Sequence, residues 1–232
     1  MGDRAGVAAA ATALVLAGET GGDLCEPFLR VLNLQGAAVS TLGNPFGTET
    51  VCASGDQAAR WDEIQIDLGE GPCWQALDQH RPVIEPDLEN STTTAWTLAL
   101  GALRETGLGA VFAFPLVVAG IKVGAIDLYS DVPTSLTDQQ IADTTMLSMV
   151  LARQVLHRAV QAAEQGAAAR GVGHNYSRRE VYQATGMVLA QMHSTPGDAL
   201  LVLRGHAFAN GRTVLDVAAD VIARRLDFST TN

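Results

Sequence analysis

The sequence predicts an α+β chain of two domains: an antiparallel sheet with flanking helices, then a long helix leading into an all-α domain of three short helices. Three observations carry this. Two stretches rich in Val, Ile, Phe and Leu, 109–118 and 121–130, lie on either side of Ala119-Gly120 and read as a β-hairpin. Helical spacing then starts at Thr137 and runs for about 28 residues, against about 12 in an average helix. Finally, the tail holds three hydroxyl-x-x-acid signatures, Ser177 to Glu180, Thr195 to Asp198 and Thr213 to Asp216, each of the capping-box kind that starts a helix.

Taken in chain order, residues 4–17 and 22–34 read as two helices split by Gly18 and Gly21-Gly22. The apolar run Val7–Ala17 also resembles the core of a signal peptide, but it is mostly Ala and too short to span a bilayer. Residues 36–42 and 48–54 read as strands around the turn formers Gly43, Asn44, Pro45 and Gly47. A helix over 56–66 follows. Another begins at Pro72, because proline suits the first helical position. The segment PVIEP is a short strand. The long helix opens with a Thr137–Gln140 capping box, and Ile141, Leu147, Leu151, Val155, Ala159 and Ala162 follow at helical steps. A helix of that length at a domain's end can project as a two-chain coiled coil or pack on its own sheet.

Gly166, Gly171 and Gly173 mark a linker over 166–176, dividing a domain at 1–165 from one at 177–228. The tail helices are placed at 178–192, 196–209 and 214–226, the second closed by Asn210-Gly211. Their apolar positions are Val181, Ala184, Val188 and Met192, then Leu200, Leu203 and Ala207, then Val214, Val217 and Val221. So small a unit buries little alone, which points to a homodimer.

Net charge is −10, with 47% hydrophobic and 17% charged residues, so a packed core is expected and an indiscriminate polyanion binder is not. The charge is uneven. Residues 174–232 hold six Arg and five acids, leaving the rest strongly acidic, and the chain has a single Lys, Lys122. Three cysteines, Cys25, Cys52 and Cys73, do not read as a disulfide framework, and a reducing, cytoplasmic setting is expected. The five His show no ligand spacing with Cys or acids, so no metal is assigned.

The tail resembles the ANTAR family of transcription antitermination regulators. The carrying residues are Ala184-x-Gly186-Met187, Ala199, Leu203-Arg204-x-x-Ala207 and Asp216-Val217-Ala218. The first part, about 36–160, resembles a GAF domain of the kind fused ahead of ANTAR in actinobacteria, through Gly36-Ala-Ala-Val-Ser40, Gly69-Glu-Gly-Pro-Cys73, Phe114-Pro-Leu116 and Gly124-Ala-Ile-Asp-Leu-Tyr129. The resemblance implies a GAF-like sensory domain controlling an ANTAR-like domain that binds paired hairpins in nascent RNA as a dimer and so prevents a terminator from forming. It implies no enzyme and no membrane.

The candidate RNA contacts are Arg178, Arg179, Gln183, Ala184, Thr185, Gly186, Arg204, Arg212, Arg224 and Arg225. Arginine suits phosphates and base edges, and the bland alternative is a solvated helix face. Gly186 is costly mid-helix, so a neighbouring helix or an RNA backbone is expected close by, the former being favoured. Trp61, Trp74, Trp96 and Phe112 are candidates to line a small-molecule pocket or simply the core, and Cys73, at a helix start that favours thiolate, is a candidate redox sensor or a buried turn residue. Three other functions compete: a thiol enzyme like the GAF-fold methionine sulfoxide reductases, using Cys52 and Cys73; a DNA-binding regulator; and an interaction module without nucleic-acid binding.

Overall fold

A computed structural model describes residues 4–164 and 178–229, which fall into two compact units, Met1–Tyr176 and Ser177–Asn232. The glycine linker, Ser177 and the side chain of Ala162 lie outside the described residues.

The first unit runs α1 (Arg4–Thr20), α2 (Glu26–Leu32), β1 (Gly36–Thr41), β2 (Glu49–Ala53), α3 (Asp56–Leu68), α4 (Pro72–Gln79), β3 (Val83–Glu85), α5 (Thr97–Glu105), β4 (Ala110–Val118), β5 (Ile121–Ser130) and α6 (Asp138–Glu164). Five antiparallel strands form one sheet in the order β2-β1-β5-β4-β3. The expected hairpin is β4–β5. Ala119 and Gly120 both take positive φ, 49° and 84°, which suits the right-handed twist of the paired strands.

Strand alternation sorts the sheet into two faces. Val39, Phe112, Phe114, Leu116, Ile126 and Leu128 join α1, α2 and α6 in one core, to which Leu14, Phe28, Leu147 and Leu151 contribute wholly buried side chains. Each such side chain is worth about 1.5–3 kcal/mol when buried. Val111 and Tyr129, on the opposite face, pack with Trp61, Leu88, Trp96 and Leu103 beneath α3 and α5. The run Val7–Ala17 is an ordinary helix here, burying Val7, Ala10, Leu14 and Ala17. No helix among the described residues is long and apolar enough to cross a membrane.

α2 starts four residues later than the expected 22, because Asp23 Oδ1 accepts from the backbone N–H groups of Cys25 and Glu26 and Pro27 then opens the helix. The capping box at α6 is present, with Gln140 N–H donating to Thr137 Oγ1 and Thr137 N–H to Gln140 Oε1. α5 was not expected at all. Its first residue follows Trp96, which gives no side-chain cap, and Glu70 Oε1 caps it from afar by accepting from Leu98 N–H at 2.7 Å and Ala99 N–H at 3.0 Å.

The second unit is all helical: α7 (Arg179–Met192), α8 (Pro196–Ala209) and α9 (Val214–Ile222). Val181, Ala184, Val188, Leu203, Ala207, Val214, Val217 and Val221 form its core as their spacing predicts, joined by Ala199 and Ala218, which the spacing does not pick out, while Met192 and Leu200, which it does, are only partly buried at its margin. Thr195 and Asp198 make a complete capping box, and Thr213 Oγ1 accepts from Asp216 N–H at 3.0 Å. α9 ends earlier than expected, at Ile222, as the chain turns through Arg224 with φ 57°. Thr213→Ala is expected to cost about 1 kcal/mol, the usual value of such a cap. Lowered melting of this unit by a few degrees, followed by circular dichroism, is the result that checks it.

Candidate functional site

On the face of the sheet beneath α3 and α4, the first unit buries a polar cluster. Ser40 Oγ (2.6 Å) and Thr50 Oγ1 (2.5 Å) both donate to Asp62 Oδ2 on α3. One helical turn on, Gln65 Nε2 donates to Asp127 Oδ2 on β5 at 2.6 Å, and Tyr129 Oη donates to the same oxygen at 3.2 Å. Gln65 Oε1 accepts from Cys73 N–H at 3.1 Å, and its backbone carbonyl accepts from Trp74 Nε1 at 3.0 Å. A single glutamine thus ties α3, α4 and β5 together.

The segment Gly69-Glu70-Gly71-Pro72-Cys73 builds this junction residue by residue. Gly69, at φ 70°, ends α3 in the left-handed conformation that glycine tolerates. Glu70 caps α5. Gly71, at φ 145°, leaves room for the Gln65 side chain, whose Oε1 would lie 2.5 Å from an added Cβ. Pro72 opens α4, and Cys73 drops into an apolar pocket of Leu42, Ile66, Leu77 and Ala125.

Electrostatics follow from this burial. Asp127 is pushed up to about 8, first by desolvation and then by the negative charge of Asp62, against the hydrogen bonds from Gln65, Tyr129 and the Cys73 thiol. Its Oδ1 is buried with no hydrogen-bond partner. The carboxyl is mostly protonated at neutral pH, and because Oδ2 accepts both hydrogen bonds, the O–H belongs to Oδ1. Burial also lifts the Cys73 thiol and the Tyr129 phenol well above their usual ranges. Of the two readings of Cys73, the structure has the buried turn residue, and its thiol keeps its proton: desolvation outweighs what the first turn of α4 supplies.

The aromatic candidates divide. Trp61 and Trp96 lie in one core beside Tyr129, Trp74 is half-buried against Cys73, and Phe112 points to the opposite face of the sheet. Phe112 cannot line a pocket with the tryptophans, because neighbouring strand residues alternate faces and Val111 occupies the tryptophan side. Nor are Cys52 and Cys73 a pair. Cys52 is joined to Cys25 in a disulfide, which corrects the reading of the cysteines as three separate thiols and removes that ground for expecting a reducing compartment. Spacing in sequence gave no sign of it: β2 must fold back on β1, opposite Val39, before Cys52 meets the start of α2.

In the second unit the candidate RNA residues also separate. Arg179, Gln183, Gly186, Arg212, Arg224 and Arg225 are exposed and Arg204 is half-buried. Arg178, Ala184 and Thr185 are buried, Arg178 at 6% exposure, and so lie off the accessible surface. Ala184 belongs to the core of the unit and the Thr185 hydroxyl donates to the Val181 carbonyl. Close packing does not explain Gly186, since an added Cβ there would meet nothing within 4 Å. Arg179, Tyr182, Gln183, Gly186 and Ala190 form one exposed stripe on α7, and Tyr182, half exposed, was missed although its spacing from Gly186 placed it there. Arg212 and Arg225 share Asp220, at 2.7 and 2.6 Å, and these hydrogen bonds hold its carboxyl below the usual range.

Residues 24–153 match the family model described as GAF domain. No curated protein sequence matches the chain. Among solved structures, the fold is shared with the GAF domain of a phosphoenolpyruvate-protein phosphotransferase from Coxiella burnetii (TM-score 0.52, 14% identity, 69% of this chain and 99% of that one). The corresponding GAF domain from Acinetobacter gives a TM-score of 0.50 at 8% identity, over 69% of this chain and 97% of that one. A type II free methionine-R-sulfoxide reductase from Thermoplasma acidophilum is similar at a TM-score of 0.45 and 16% identity, over 61% and 94%.

Proposed function

From a chain that belongs to the GAF domain family through residues 24–153, we propose a signal-responsive RNA-binding regulator of transcription antitermination, in which the first unit senses and the second reads tandem RNA hairpins. GAF domains are typically signal-sensing modules, and the buried cluster around Asp127 supplies the polar groups that a small-molecule ligand would need.

The exposed stripe on α7 carries the RNA-binding half of the reading. Glycine in a helix interior costs about 1 kcal/mol against alanine, and nothing inside the unit requires it at position 186. An absent side chain there lets another backbone come close. Tyr182 beside it offers a ring on which an unpaired base can stack, Gln183 an amide for base edges and Arg179 a charge for phosphate. Sequence-selective RNA recognition uses those three kinds of contact.

A homodimer belongs to the same proposal. α6 presents Ala142, Met146, Met149, Arg153, Leu156 and Val160 at alternating steps of four and three, with Met149 60% exposed. That is the spacing of a two-chain coiled-coil seam.

Gly186→Ala separates structure from function. It is expected to stabilise the second unit by up to about 1 kcal/mol. The same change is expected to weaken hairpin binding on the order of tenfold, or about 1.4 kcal/mol. A stabilised variant with unchanged affinity for hairpin RNA would take Gly186 out of the interface.

A further inference from the structure

We propose that Asp23, Cys25 and Cys52 form a binding site for a soft divalent cation, zinc being the type, that becomes available when the Cys25–Cys52 disulfide is reduced. The two sulfurs and a carboxylate oxygen of Asp23 lie within 4.8 Å of one another. A single tetrahedral zinc takes thiolates at about 2.3 Å and a carboxylate oxygen at about 2.0–2.2 Å, so its ligand atoms stand about 4 Å apart or less. The three groups therefore need only small adjustments to share one ion.

The fold prepares each ligand. Asp23 is held by the backbone, its Oδ1 accepting from Cys25 N–H at 2.7 Å and Glu26 N–H at 3.3 Å. Cys25 is wholly buried at the start of α2, Cys52 is half-buried on the edge strand β2, and Asp23 is exposed. An ion can thus enter from the Asp23 side. Three protein ligands leave the fourth position of a tetrahedral ion to water, the arrangement of open rather than closed zinc sites. Arg158 on α6 faces Asp23 electrostatically, but its guanidinium is committed to the carbonyls of Ala17 and Gly22.

The redox balance is simple. A dithiol reductant passes two electrons and two protons to the Cys25–Cys52 bond; the S–S bond breaks, two thiols form, and the reductant leaves as its own disulfide. Binding of the cation then releases both protons as the thiolates become ligands. A disulfide oxidant reverses the step: it takes two electrons from the thiolate pair and is itself cleaved to thiols, the Cys25–Cys52 bond forms again, and the ion is expelled.

Cobalt(II) tests this as a coloured stand-in for zinc, with the full chain. The reduced protein, shown folded by far-ultraviolet circular dichroism, is expected to take up one cobalt per chain, with intense thiolate-to-cobalt absorption in the near ultraviolet and the visible bands of a tetrahedral ion. Both signals should vanish in Cys25→Ser and Cys52→Ser, persist in Cys73→Ser, and be absent from the oxidised chain. Asp23→Ala should bind at least about tenfold more weakly, since even losing a group behind the ligands costs 10–100-fold. No thiolate band in the reduced wild type, a band that survives either serine variant, or loss of the fold on reduction would overturn the site. A band in the oxidised chain would overturn its dependence on reduction, and unchanged affinity in Asp23→Ala would remove the carboxylate.

Discussion

Asp127→Asn is expected to stabilise the first unit at neutral and alkaline pH and to flatten its stability profile. The acid holds its proton in the folded chain up to about pH 8, whereas in the unfolded chain it loses it near the ordinary value of 3.8. Between those limits the folded state binds the additional proton, so the contribution is fully present below about pH 4 and is lost progressively as pH rises toward 8. At about 1.4 kcal/mol per pH unit, the loss is on the order of 4 kcal/mol by neutral pH. Asparagine keeps the shape and an acceptor for Gln65 Nε2 and Tyr129 Oη, and it removes the buried charge. Urea unfolding of wild type and variant from pH 5 to 9 checks this: the two curves should diverge as pH rises. Parallel curves would mean that Asp127 ionises without penalty.

The second large effect is steric. Gly124 on β5 lies opposite Thr41 on β1. An added Cβ would stand 1.8 Å from the Ser40 carbonyl oxygen and 2.9 Å from Thr41 Cα, both backbone atoms. No rotamer relieves such a contact, so the central pair of strands must separate. Gly124→Ala is expected to cost about 3 kcal/mol or more, at the upper end of overpacking. It should also loosen Ser40 from Asp62. Denaturant unfolding measures it, and a loss below about 1 kcal/mol would show that β1 and β5 tolerate a wider spacing. The contrast with Gly186→Ala, where the added methyl meets open space, separates a glycine required by the fold from one the fold does not require.

Local chemistry made most of the fold legible. The Ala119-Gly120 turn, the Thr137 and Thr195 caps and the proline at the head of α4 act within a few residues, so the elements they bound could be placed in order. Features that depend on distant partners were hidden. α5 takes its cap from Glu70, 28 residues away. The disulfide spans 27 residues and needs the β1–β2 hairpin first. Asp127 belongs to a run quoted for its resemblance, yet its burial, and hence its raised affinity for a proton, appears only when α3 covers the sheet. Among the RNA candidates, charge alone could not distinguish Arg178 from Arg179. Arg178, the N-cap of α7, is buried, whereas Arg179, the first residue of the helix, is exposed.

The proposed reading of hairpin RNA by the second unit is checked by binding of the full chain to a tandem-hairpin RNA. Scrambled RNA and duplex DNA serve as controls, at two salt concentrations, with Arg179→Ala alongside. Hairpin-selective binding is expected, with a moderate salt dependence that falls by about one phosphate contact in Arg179→Ala. Equal affinity for the scrambled RNA, preference for duplex DNA, or no binding at either salt would contradict it.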